Sequence, residues 1–283
     1  MKWQGRRESS NVEDRRGGRT PGMMVGGGIG TVILVLAVYM LGGDPTQLLE
    51  TVQVDGTQME SSTYKGSPEE NELARFVAVV LAETEDVWTE LFRAEGSEYI
   101  NPKLVLYTGS VNSACGYSNA ATGPFYCPGD QKVYIDLSFC DELHRRFKAP
   151  GDFAMAYVIA HEIGHHVQTL LGLSQKVMAL RSRLSEEEFN KYLVRLELQA
   201  DYFSGVWAHY ASRLNLLEEG DLDEALNAAS AVGDDRIQKS ARGYVVPDSF
   251  THGTSEQRRH WFYKGFRSGD IHGGDTFNSD IGG

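Results

Sequence analysis

The chain has 283 residues, 23% of them charged, with a formal net charge of −12 and three cysteines. That length is enough for one large domain or two small ones with a full hydrophobic core. A strongly acidic balance excludes nucleic acid as a natural partner, because neutralising phosphates takes clustered Lys and Arg.

The charge is unevenly spread. Before residue 44, Lys2, Arg6, Arg7, Arg15, Arg16 and Arg19 outnumber Glu8, Glu13 and Asp14, so the remainder carries all of the negative excess. Met23–Leu41 contains no charge, and as a helix would span ~28 Å, close to the hydrocarbon thickness of a bilayer. The run predicts a transmembrane anchor. A cleaved signal peptide is the alternative, opposed by the long basic region before the run and the lack of an A-x-A-like site after it. The basic flank predicts a cytoplasmic N-terminus and a single pass through the inner or plasma membrane, with the acidic body periplasmic or extracellular. Residues 1–22 are expected to be a disordered basic cytoplasmic tail, 23–41 the membrane anchor, 42–66 a linker and 67–283 the folded domain.

Ser67-Pro68-Glu69-Glu70 is a capping-box start for a helix reaching about Arg93, with Gly96 closing it. Lys103–Thr108 and Lys132–Leu137 are short β-prone runs. Val133–Asp136 is either an edge strand, to which an extended peptide could add by backbone hydrogen bonds, or a core strand. Between the runs, Cys115 and Cys127 bracket a loop with little core of its own. A disulfide there would close it and contribute up to ~3 kcal/mol, leaving Cys140 over. Metal binding by the cysteines is the alternative, disfavoured by the absence of C-x-x-C. Phe153–Leu171 is an apolar run between Asp152, as N-cap, and Gly172, as C′ glycine. Ser185 begins another capping-box helix that can run to about Tyr210, and Asp221–Ser240 predicts a helix interrupted near Gly233. After an Asp248–Gly253 loop, Thr254-x-x-Gln257 caps a last helix, and the Gly-rich tail from Gly269 is expected to be loose. The fold class is α+β: mostly helical, with a small sheet beside the Phe153–Leu171 helix and one transmembrane helix before the domain.

His161-Glu162-Ile163-Gly164-His165 lies in that apolar helix. Residues four apart share a helix face, so His161 and His165 can aim two imidazole nitrogens at one ion, a spacing that suits Zn²⁺. Glu162 then sits beside the ion without ligating it and can take a proton from water that the metal activates. Glu197 and Asp201 are also four apart, within an otherwise apolar surround where unpaired carboxylates would be costly. Glu197 as third ligand completes a His₂Glu set, and Asp201 can accept the spare N–H of a ligand histidine. Solvent-facing charges are the alternative for that pair. His166 is rotated ~100° away from His165 and reads as structural; His144 and His209 have no partner at ligand spacing.

His161-Glu162-x-x-His165 with Glu197-x-x-x-Asp201 resembles the gluzincin type of zinc metallopeptidase. More closely, the chain resembles the bacterial family described as putative neutral zinc metallopeptidases, of the YpfJ type. The resemblance rests on Cys115-Gly116, Gly123-Pro124-Phe125-Tyr126-Cys127-Pro128, His161-Glu162-x-Gly164-His165-His166, Leu198-Gln199-Ala200-Asp201 and His252-Gly253-x-Ser255-Glu256-Gln257-Arg258. It implies a zincin-like domain, one zinc per chain, and a peptide or protein substrate hydrolysed with Glu162 as general base. It also implies a His or Tyr downstream of the ligand helix as donor to the developing oxyanion. His252 is the candidate; a plain loop histidine is the alternative, and Tyr244 and Tyr263 are weaker choices. Two other functions remain open at this point: a membrane-tethered module with a purely structural zinc, and an amidase acting on cell-wall peptide.

Overall fold

The computed structural model describes residues 1–17, 64 and 66–282. Met1–Arg16 and Gly66–Gly283 form one compact unit, mostly helical with a small sheet. The sheet has the order β1 (Val12–Asp14), β2 (Lys103–Tyr107), β6 (Lys132–Asp136), β5 (Phe125–Cys127), with β1, β2 and β6 parallel and β5 antiparallel to β6. A separate hairpin pairs β3 (Ser110–Ser113) with β4 (Gly116–Asn119). Four of the five residues of β2 are buried, as expected of an inner parallel strand covered on both faces. Leu104, Leu106, Val133 and Ile135 face the helical core, while Val105, Tyr107 and Tyr134 share a smaller core with Val111 and Cys127. A disulfide joins Cys127 to Cys115, and Cys140 is free.

Helix α1 (Pro68–Ala94) starts from a Ser67 capping box and buries Phe76, Val77, Val80, Leu81, Trp88 and Phe92. After the short α2 (Phe139–Arg145) comes α3 (Asp152–Leu170), the helix of the histidine pair and almost wholly buried. Its N-cap is Gly151, not Asp152. The Asp152 carboxylate is turned to the Met1 nitrogen at 3.1 Å, and Glu224 of a neighbouring helix accepts the first-turn Phe153 N–H. Gly151 takes φ +110°, a backbone conformation L side chains rarely adopt, so the cap favours glycine. Next come α4 (Leu173–Met178), the long α5 (Glu186–Arg213), α6 (Asp221–Ala231), α7 (Asp234–Arg242) and α8 (Ser255–Ser268).

Three helices meet at glycines. A Cβ on Gly164 of α3 would sit 2.9 Å from the Ala200 carbonyl oxygen of α5 and 3.0 Å from its Cα. On the other side of α5, a Cβ on Gly205 would fall 2.0 Å from the Phe262 carbonyl oxygen, and one on Gly265 of α8 2.0 Å from that of Tyr202. Backbone therefore lies against backbone where side chains ordinarily keep helix axes ~8–10 Å apart.

Several expectations are overturned. Residues 1–17 are not a disordered tail. β1 pairs with β2 in register Val12↔Leu104, Ser9 N–H donates to Ala78 O at 3.0 Å, and Met1 is buried. The arginines that suggest a cytoplasmic flank are instead paired with α1: Arg6 with Glu83 at 2.9 Å, Arg7 with Glu85 and Asp86 at 3.2 and 2.8 Å. Arg16 bridges Asp14 and Asn71. The single-pass membrane arrangement falls with the tail. Among the described residues no helix is long and apolar enough to cross a membrane, and both the Met23–Leu41 run and residues 42–63 lie outside them. β1, before that run, and β2, after it, are neighbours in one sheet. The N-terminus and the domain therefore cannot face opposite sides of a bilayer. Of the two readings of Val133–Asp136, the edge strand fails and the core strand holds, since β6 lies between β2 and β5; the edges are β1 and β5. The tail after Gly269 is not loose either: Gln199 donates to Gly274 O at 2.9 Å and Thr276, fully buried, donates to Arg195 O at 2.6 Å.

Two outcomes test this packing. Gly164→Ala should lower stability by ~1–3 kcal/mol, the usual cost of overpacking, as a fall in the denaturation midpoint; a variant as stable as wild type would show that α3 and α5 are not in tight contact. The second concerns acid. A hydrogen bond from Lys132, reinforced by Arg15 against the opposing effect of burial, holds the Glu13 carboxyl at about 2 instead of 4.5. Its stabilising contribution is complete above the unfolded value of 4.5 and is lost as pH falls through the folded value. Glu13→Gln should thus be less stable than wild type at pH 7, with the difference closing between pH 4.5 and 2. A constant difference across that window would exclude Glu13 as the acid-sensitive group.

Candidate metal centre

The close passage of α3 over α5 brings together side chains that are more than thirty residues apart. His161 Nε2 lies 3.2 Å from Glu197 Oε2 and His165 Nε2 lies 3.3 Å from Glu197 Oε1. All three groups can offer donor atoms within 4.8 Å of one another. Zinc bonds of ~2.0–2.2 Å in a tetrahedron leave neighbouring donor atoms ~3.4 Å apart, so the two measured separations suit a zinc edge. Burial by itself would lower the His161 pKa, but Asp201 and Glu197 outweigh it and raise it to about 9. Burial likewise pushes Glu197 up, and His165 and His252 outweigh it to hold the carboxyl well below its usual range. Carboxylates gathered around imidazole nitrogens could receive a cation, and a metal entering there would displace protons.

Each histidine of the pair is oriented from behind. Asp201, fully buried, faces His161 Nδ1 through Oδ1 at 2.9 Å. A carboxylate held ionised only accepts, so the Nδ1 carries the hydrogen and Nε2 is left to face Glu197. Burial pushes the Asp201 carboxyl up, and Arg258 and His161 more than cancel that. His165 Nδ1 lies 2.9 Å from Gln168 Oε1, which fixes its tautomer in the same way. Gln168 in turn donates to Leu196 O and Gln199 Oε1, tying the histidine helix to α5. His166 points elsewhere: its Nε2 donates to Ile100 O at 2.6 Å and its Nδ1 meets the Tyr126 hydroxyl at 3.1 Å.

These groups open onto a cavity of about 520 Å³ whose lining includes His161, Glu162, His165, Glu197, His252 and Arg258. Phe125 and Tyr126 of edge strand β5 form part of its wall, together with Phe139, Phe147, Val158 and Ile237. Glu162 is 8% exposed; burial raises its pKa, against the pull of His161 and His165. His252 is half exposed at the mouth, on a loop pinned by one residue of α7. Asp234 accepts the backbone N–H groups of Thr251, His252 and Gly253 at 2.8, 2.6 and 3.2 Å, and its other oxygen meets His252 Nδ1 at 3.2 Å. Burial would lower the His252 pKa, but Glu197 and Asp234 raise it.

The structure therefore brings His161, Glu162, His165, Glu197 and His252 to one cavity wall, with Asp201 buried behind His161 and the Cys115–Cys127 disulfide at the far end of β5. Sequence reasoning missed Tyr157, Gln168, Asp234 and Arg258. Tyr157 and Gln168 stand four residues before His161 and three after His165, so helix spacing alone could have singled them out. No comparable periodic signal marked Asp234 or Arg258.

A family model described as "Putative neutral zinc metallopeptidase" matches residues 1–277. "Uncharacterized protein YpfJ" of Escherichia coli (strain K12) is 50% identical over 287 residues, covering 99% of this chain and 100% of that protein. "Uncharacterized protein Rv2575" of Mycobacterium tuberculosis (strain H37Rv) is 36% identical over 261 residues, 86% of each. No solved structure matches the chain.

Metal analysis tests the donor set. The purified chain should carry about one zinc, as a single His₂Glu site requires, and His161→Ala and Glu197→Ala should each lose it. Wild-type occupancy in both variants would overturn the assignment.

Proposed function

Because this chain belongs to the family of putative neutral zinc metallopeptidases, we propose that it hydrolyses peptide bonds at a zinc held by His161, His165 and Glu197. The observation that carries this reading is the juxtaposition of two imidazoles and one carboxylate at 3.2 and 3.3 Å with a buried carboxylate, Glu162, in the same cavity. When bound there, zinc supplies Lewis-acid polarisation of a carbonyl and acidification of water toward a pKa of ~7.

The chain's own groups do the rest. Glu162 lies on the histidine helix one residue from His161 and lines the cavity without belonging to the donor cluster. Its carboxylate accepts the proton of the attacking water and delivers it to the leaving amine, and a pKa raised by burial helps it hold the proton between those steps. His252, at the mouth and anchored by Asp234, donates toward the oxygen on which negative charge develops. β5 is hydrogen-bonded to β6 along one side, so its outer side can accept an extended peptide as a further strand, alongside Phe125 and Tyr126 in the cavity wall. A purely structural zinc would be closed by four protein ligands and has no use for a base; the cluster here offers three, facing a cavity that contains Glu162.

Digestion of a peptide library by the zinc-loaded chain, with Glu162→Gln as control, tests the reading. Cleavage should fall by ~10²–10⁴ in Glu162→Gln, the usual value of a general base, with zinc content unchanged. His252→Ala should lose ~10²–10³ in kcat/KM, as for a removed oxyanion donor, again keeping its zinc. Equal cleavage by Glu162→Gln and wild type would overturn the mechanism, and unchanged turnover in a folded, loaded His252→Ala would remove that residue from it.

A further inference from the structure

Arg258 has no part in the chemistry described above, yet it is 3% exposed and reaches the back of the metal cluster. It stands in the first turn of α8, whose start is fixed by the Thr254 capping box. Its Nε donates to Asp201 Oδ2 at 2.8 Å and a terminal nitrogen donates to Asp201 Oδ1 at 3.0 Å. The same nitrogen lies 3.3 Å from the Tyr157 hydroxyl, and the other terminal nitrogen donates to Val232 O at 3.3 Å. The guanidinium thus touches α5, α3 and the end of α6 at once. Tyr157 completes the enclosure by donating to Asp201 Oδ1 at 2.5 Å.

We propose that Arg258 is a positioning residue for the metal centre: by clamping Asp201 from behind, it holds His161 with Nε2 aimed at the metal. The inference rests on the zinc reading. Asp201 must be held stationary to accept from His161 Nδ1. A fully buried carboxylate facing only a hydroxyl and an imidazole N–H would be costly and free to turn. Arg258 supplies the opposing charge and a two-point grip. Oδ2 is engaged by Nε, which leaves Oδ1 directed at His161. That terminal nitrogen also lies 3.3 Å from His161 Nδ1, 3.4 Å from Nε2 and 3.9 Å from Glu197 Oε2, all longer than its 3.0 Å bond to Asp201 Oδ1, which is its principal partner. Lysine, a single point charge, could keep the ion pair but could not span Asp201, Tyr157 and Val232 together.

A double-mutant cycle on zinc affinity decides the matter. Zinc dissociation constants of the full chain would be measured by chelator competition for wild type, Arg258→Lys, Asp201→Asn and the double variant. Each single change should weaken zinc ~10–100-fold, as expected of groups that orient a ligand, and the double variant should be no weaker than Asp201→Asn. Multiplying effects, or wild-type affinity in Arg258→Lys, would overturn the proposal; a purely scaffolding arginine would lower the melting point without this coupling. Arg258→Gln serves if the lysine variant does not fold, with wild-type affinity again counting against the clamp. A second readout needs no metal. In ¹⁵N-histidine-labelled protein the His161 Nδ1–H should give a downfield, slowly exchanging proton resonance that is lost in the Arg258 variant. If wild type takes up no zinc, the zinc reading fails, and this resonance still decides for the clamp by its loss or against it by its persistence.

Discussion

The contact on which the rest depends is the passage of α3 across α5 at Gly164 and Ala200. The two donors of α3 and the carboxylate of α5 come within 3.3 Å because nothing larger than a hydrogen separates the backbones there. Helices kept apart by ordinary side chains would leave Glu197 short of both imidazoles. The second glycine contact, Gly205 with Gly265, brings α8 equally close to the other side of α5 and lets Arg258 reach Asp201. One helix is therefore gripped on two faces, and the polar groups it carries are held in place by packing.

That packing sets an electrostatic problem and answers it. His161, Glu162 and Asp201 are buried, and Glu197 is nearly so. Isolated charges in such surroundings would cost several kcal/mol each. Asp201 is offset by Arg258, and Glu197 by two imidazoles, by Arg258 at 3.9 Å and by His252 nearby. Asp201 and Arg258 pair behind the cluster, while Glu162 and Glu197 face the cavity where a cation could sit. Hydrogen bonds from the histidines back to Asp201 Oδ1 and Gln168 Oε1 leave Nε2 of both rings facing Glu197.

The N-terminal segment shows how one composition can support opposite conclusions. Arg6, Arg7 and Arg16 have the density expected of a membrane-flanking tail, and no property of those residues alone distinguishes a free cation from a paired one. Their partners, Glu83, Glu85, Asp86 and Asn71, lie on a helix more than fifty residues later. A three-residue strand such as Val12–Asp14 is also too short to announce itself by alternation, and it exists because β2 offers it an edge.

What the sequence by itself determined is what depends on neighbours within a few residues. The capping boxes at Ser67, Ser185 and Thr254, the helical period of Phe153–Leu171, the two longest strands of the sheet and the four-residue spacings His161/His165 and Glu197/Asp201 are all of this kind, because backbone geometry fixes which face such residues share. The α+β class and the candidate donor set followed from them. The tertiary structure alone decided which strands form the edges, that Asp152 leaves the helix cap to Gly151 and Glu224, that Asp234 pins the His252 loop and that Arg258 stands behind Asp201. Those outcomes depend on the approach of segments distant in the chain, and that approach is set by the summed burial of a whole core and by where glycines let backbones touch, which leaves no periodic trace in any one segment.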